Sequence, residues 1–212
     1  MEHFVSPKYD HSKLENPSLT DLIDVFEDSW RGYVLEPAKL LLGHPSGDVA
    51  AMTLVTTYFE AIWICLAGEG SKGRSEQLFV NGFSRCFNAN ITGIEIAARE
   101  IYKHIRCGVA HTGMLKPRVN FSREGAHVFY LTYPKNSDGS LNLKAPVASI
   151  VVNPLRMYEG VLRHFDQYIN DLRGGDRPDL TEPFQQAVSL LWEVGEGENV
   201  IGMTEEEFRG RE

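Results

Sequence analysis

The chain has 212 residues, 42% of them hydrophobic and 24% charged, with a formal net charge of −8. That composition describes one globular domain with a full core, and the acidic balance excludes a protein that coats nucleic acid over its whole surface. Three cysteines, Cys65, Cys86 and Cys107, stand singly with no C-x-x-C pair, which argues against a disulfide framework and a zinc knuckle.

In chain order, residues 1–17 are polar, carry Pro7 and Pro17, and read as a loose N-terminal arm. The start lacks a basic, apolar leader pattern, so a cytoplasmic protein is expected. Ser18 opens a helical pattern with Leu19, Leu22, Ile23, Phe26 and Trp30 at helical spacing, and Asp21 and Asp24 suit its first turn. Gly32 interrupts, and Pro37 opens a short apolar helix through Leu42. Residues 43–47, Gly-His-Pro-Ser-Gly, form a connection, and Asp48 caps a long helix over about 49–67. Thr53, Thr56, Thr57 and Glu60 make that stretch too polar for a membrane span, so no membrane is expected as a partner. A glycine-rich loop, 68–73, precedes a helix over about 74–87, with Ser71 or Ser75 as its cap. The next helix covers about 92–106.

The period then changes. Residues 127–133 and 148–152 are rich in β formers, the Asn-Ser-Asp-Gly-Ser run at 136–140 is turn chemistry, and 119–121 starts a third short strand. The expectation is a small antiparallel sheet inserted at about 119–152. Helix resumes at Asn153-Pro154, a cap followed by proline in the first turn, and ends at Gly174-Gly175. A last helix covers about 182–194, and 195–212 is an acidic, flexible tail. The fold class is mainly α: one helical domain over 18–194 with a β insertion.

Three kinds of site can be tested against this pattern. The loop Gly68-Glu-Gly-Ser-Lys-Gly-Arg-Ser75 approaches a phosphate-binding loop, but Arg74 stands where lysine belongs and a helix, not a strand, precedes it. The seven histidines show no metal-ligand spacing, so neither a metal nor a cofactor is expected. The remaining candidate is Ile101-Tyr-Lys-His-Ile-Arg106-Cys-Gly-Val-Ala-His111. On a helical wheel Ile91, Ile94, Ala98, Ile101 and Ile105 share the core face, with Arg99, Lys103 and Arg106 roughly opposite. Gly108 reads as the helix stop, with His111 just past it. A guanidinium clamps phosphate oxygens in a fork, and a neutral imidazole takes a proton from a ribose 2′-hydroxyl. The competing reading has Arg106 paired with Glu60 or Glu100 and His111 bonded to the last helical carbonyls.

Arg106-x4-His111 at the end of a helix within an all-helical core resembles the R-x4–6-H motif of the HEPN superfamily. The resemblance is strongest over 91–114 and extends loosely over 48–106 and 153–194. It implies a HEPN-like helical bundle and metal-independent endoribonuclease chemistry in a homodimer, with a defence or toxin role. Arg106 would bind phosphate, and His111 would act as base or orient the scissile group. Arg99, Lys103, His104, Lys116 and Arg118 would then bind substrate. Active members usually carry a polar residue after the arginine, and here that position is Cys107. The alternative is a catalytically inactive HEPN-like module binding a nucleotide, RNA or a regulatory protein partner.

Charge is uneven along the chain. Residues 193–212 hold seven acidic and two basic residues, whereas 99–123 hold six basic residues against Glu100 alone. A local basic cleft around Arg106 and His111 is therefore compatible with the overall −8.

Overall fold

The computed structural model describes residues 4–112, 115, 118–192 and 210, with residues 110–112 described as backbone only. The architecture is mainly helical with a small three-stranded sheet. Helix α1 (Leu19–Trp30) starts in a capping box, the Ser18 hydroxyl accepting from the Asp21 amide while the Asp21 carboxylate accepts from the Ser18 amide. The chain does not break at Gly32. It passes through a π turn (Arg31–Leu35) into α2 (Glu36–Leu42). Pro37 supplies the reason: it cannot donate to the carbonyl four residues back, and widening the turn relieves its ring of that carbonyl.

The N-terminal arm is not loose over its described part. Ser6 is fully buried, and its hydroxyl donates to Asp28 at 2.7 Å. The Lys8 amide donates to the same carboxylate at 2.8 Å, and Pro7 fills the space a side chain at Gly32 would need.

Helix α3 (Asp48–Ala67) is the central element, packed by α2 and by α4 (Ser75–Phe87), α7 (Pro154–Gly174) and α8 (Pro178–Trp192). By length and composition alone it is apolar enough to cross a membrane, where the threonines had suggested a stretch too polar to do so; Thr53, Thr56 and Thr57 bond their hydroxyls to the helix's own carbonyls. Its apolar sides face other helices. Phe59 meets Phe79 and Phe83 on α4 at ring distances of 5.2 and 4.9 Å, and Tyr58 meets Trp30 and Phe165. Gly47, not Asp48, occupies the cap position of α3, and Asp48 is drawn instead to Arg123. Arg74 stands at the α4 cap position without a side-chain cap bond, so neither Ser71 nor Ser75 has that role.

Helix α5 (Ile94–Ile101) continues through a π turn (Tyr102–Arg106) into α6 (Cys107–Thr112). The stop expected at Gly108 does not occur. A glycine costs a helix about 1 kcal/mol relative to alanine; Gly108 is buried, and packing outweighs that cost. Ile91 precedes the helix and is exposed, so it leaves the expected core set, while Ile94, Ala98, Ile101 and Ile105 are buried.

The sheet is mixed, not antiparallel. Strands β1 (Val119–Phe121), β2 (Phe129–Thr132) and β3 (Ser149–Val152) lie in the order β1-β3-β2. β3 pairs parallel with β1 (Val119 opposite Ile150) and antiparallel with β2 (Leu131 opposite Ile150). Ile150 and Val152 on the central strand are fully buried, and Phe129 reaches Phe83, which ties the sheet to the helical core. Asn153 caps α7, its Oδ1 accepting from the Leu155 and Arg156 amides, and Gly175 ends α7 in the left-handed conformation. Helix α8 begins at Pro178, four residues before the expected start, and keeps Pro183 inside it. Residues 193–209 and 211–212, including most of the acidic tail, lie outside the described residues.

Candidate functional site

The helix that carries the motif buries Ile94, Ala97, Ala98, Ile101, His104 and Ile105 and exposes Arg99 and Lys103. Arg106 falls at the boundary between these two sides and is half-buried. Its Nε is sequestered from solvent and has no hydrogen-bond partner among the described residues. Neither carboxylate expected to neutralise it does so. Glu100 lies 3.1 Å from His104 Nε2, and Glu60 makes no ion pair with Arg106. An arginine that makes no ion pair with a described carboxylate retains its charge for an anion.

The π turn shapes the surroundings of that guanidinium. Widening the helix stacks residues five apart, and the Cys107 amide donates to the Tyr102 carbonyl. Burial, the neighbouring Cys107 and the negative Glu60 push the Tyr102 phenol up to about 12, with Arg106 acting in the opposite direction. The Tyr102 ring is held edge-on to Phe79 at 5.2 Å, so the π turn is anchored to the α3–α4 core. The π turn Arg31–Leu35 has Pro37 just after it; this one has no proline within its helix.

His111 lies in α6, with its side chain outside the description. It lies five helical steps beyond Arg106, so their Cα atoms stand about 7.5 Å apart along the axis and about 140° apart around it. Lys103 and Arg118 are exposed, and neither makes an ion pair with a described carboxylate. The other expected binding residues stand differently. Arg99 is paired with Glu76 of α4 at 2.6 Å, an arrangement that the helical wheel of one element does not contain. His104 is 4% exposed, buried between its own helix and the core, and cannot reach a substrate without unfolding. Lys116 lies outside the described residues.

Arg74, the residue at the lysine position of the glycine-rich loop, is bonded to the Glu69 carboxylate and the Gly70 carbonyl, which closes a helix–helix loop. Among the described residues no three histidine, cysteine, aspartate or glutamate side chains converge as a metal site. No protein-family model, no curated protein and no solved structure matches the chain.

Proposed function

We propose that this chain is a metal-independent endoribonuclease of the HEPN type that works as a cytoplasmic homodimer. The observation that carries the reading is Arg106, half-exposed with an unmatched buried Nε, five residues before His111 in one continuous helix. In this reaction the His111 imidazole removes the proton of a ribose 2′-hydroxyl. The 2′-oxygen bonds to phosphorus, the bond to the 5′-oxygen breaks, and that oxygen takes a proton from water. Arg106 holds the non-bridging oxygens as their charge grows, which substitutes for a metal ion. The products are a 2′,3′-cyclic phosphate and a 5′-hydroxyl. Because the two residues stand on different sides of the helix, a cleft lined by two copies brings both residue types onto one phosphodiester.

The test is cleavage of a mixed RNA substrate in EDTA by wild type, Arg106→Ala and His111→Ala, each checked for an unchanged melt. Loss of one charge-stabilising donor slows such reactions by about 100-fold or more. Cleavage that survives both substitutions, or no cleavage by wild type, overturns the proposal. One observation favours a second reading. Cys107, at the position where active HEPN members carry a polar group, is half-buried, and its amide bonds to the Tyr102 carbonyl within the π turn. A catalytically silent module binding a nucleotide, RNA or protein partner would show lower melting temperatures for both variants and no cleavage.

A further inference from the structure

A groove lies away from Arg106, where α3, α4 and the start of α5 meet. The groove encloses about 300 Å³, at the lower end of small-molecule sites. Trp63, Val80 and Ile94 form its apolar wall, and Asn81, Ser84, Arg85 and Glu95 bring polar groups to it. Three observations show polar capacity that the protein itself leaves unused. The Ser84 hydroxyl is buried and has no hydrogen-bond partner, although a helical serine can usually bond back to a carbonyl of its own helix. Arg85 is exposed and has no ion-pair partner among the described residues, whereas Arg31, Arg99, Arg123 and Arg173 are all paired. Asn81 accepts from Gln77 at 2.8 Å through Oδ1, which leaves its amide protons to donate.

We infer that this groove binds a nucleoside monophosphate unit, either free or as one nucleotide of a single RNA strand. An indole beside apolar side chains suits a planar base, which stacks on aromatic rings without regard to sequence. The Ser84 hydroxyl and the Asn81 amide suit the polar edge of the base, and the free Arg85 guanidinium suits the phosphate. A buried hydroxyl without a partner is unfavourable until a ligand supplies one. The groove also has a fixed relation to Arg106. Ile94 at its wall and Arg106 are twelve residues apart on one helix, about 18 Å along the axis, with Lys103 exposed between them. That places the groove as a subsite for a base a few nucleotides from the cut, an extension that rests on the ribonuclease reading; occupancy of the groove does not.

Isothermal titration of the full chain with AMP, GMP, CMP and UMP, and with a four-nucleotide RNA, tests the inference. The variants are Arg85→Ala, Ser84→Val and Arg106→Ala. Wild type is expected to bind at least one monophosphate with a Kd below about 1 mM, within the range of weak specific sites. Arg85→Ala and Ser84→Val should weaken it at least about tenfold, and Arg106→Ala should weaken it less than either. Ser84→Val removes the unmatched hydroxyl and should melt no lower than wild type, so lost binding reports the site and not the fold. RNA binding tighter than any monophosphate identifies a strand as the ligand, and equal affinity identifies the free nucleotide. No saturable binding of any of the five ligands, or binding indifferent to Arg85 and Ser84, overturns the inference. Binding without RNA cleavage refutes the ribonuclease reading and leaves this one standing.

Discussion

Gly82→Ala probes the packing that positions the site. Gly82 sits where α4 crosses α3, and a Cβ there would lie 1.9 Å from the Phe59 carbonyl oxygen and 2.8 Å from its carbon. These are backbone atoms of the central helix and cannot swing aside. Restoring an ordinary contact requires α4 to retreat by more than about 1 Å, a distance over which dispersion contacts are largely forfeited. The Phe59 contacts with Phe83 at 4.9 Å and Phe79 at 5.2 Å would both open. Overpacking of this kind costs about 3 kcal/mol, and alanine's better helix propensity offsets about 1 kcal/mol. The net loss of about 2 kcal/mol lowers the melting temperature of a domain this size by about 4–8 °C. Gly174→Ala is the control, since a Cβ there meets nothing and its φ is ordinary. Differential scanning calorimetry should show a clear drop for Gly82→Ala and no drop for Gly174→Ala. Equal melting temperatures for the two variants would refute the reasoning.

Three further outcomes are expected. Burial, helped by Arg85, holds the His164 imidazole down at about 4, and its Nδ1 hydrogen-bonds Tyr58 at 2.9 Å. The unfolded chain therefore takes up this proton near pH 6.5 while the folded chain does not. Up to about 3 kcal/mol of stability, complete above pH 6.5, is lost as pH falls toward 4. Urea midpoints should fall more steeply over that window for wild type than for His164→Gln, and equal slopes would refute it. Asp28→Ala strands the buried Ser6 hydroxyl and releases the Lys8 amide and ammonium. It should cost about 2 kcal/mol and make the first 15 residues more sensitive to limited proteolysis; an unchanged digestion pattern would contradict the docked arm. Sedimentation across micromolar concentrations should show a dimer, and monomer throughout would remove the shared cleft.

Much of the helical frame was legible because its signals are local. Ser18 with Asp21, Asn153 with Pro154, Gly68 and Gly175 each satisfy backbone groups within a few residues, and the structure uses them so. What escaped depends on distant partners. The helix runs through Gly32 and Gly108 because tertiary packing exceeds the penalty of one glycine. Pro183 inside α8 packs close against Gly68, a contact 115 positions away that no local pattern contains. The parallel pairing of β1 with β3 is likewise non-local, whereas each strand alone shows only β-forming residues. At the candidate site the wheel placed Arg99, Lys103 and Arg106 outside the core face; the structure agrees for Arg99 and Lys103, while Arg106 sits half-buried at the boundary. It could not show that Glu76 would neutralise Arg99, or that His104 would turn inward beside Glu100. The groove at Trp63 and Arg85 draws on α3, α4 and α5 together, and its components look like ordinary amphipathic helix residues when read singly.

The central claim is attack by a ribose 2′-hydroxyl under an Arg106–His111 pair. The most direct measurement incubates an RNA oligonucleotide, and the same oligonucleotide with one 2′-deoxy nucleotide at the mapped cut, with the protein in EDTA. RNA should be cut to a 2′,3′-cyclic phosphate, the deoxy site should resist, and Arg106→Ala should cut neither. Equal cleavage at the deoxy site, or undiminished cleavage by Arg106→Ala, would contradict it.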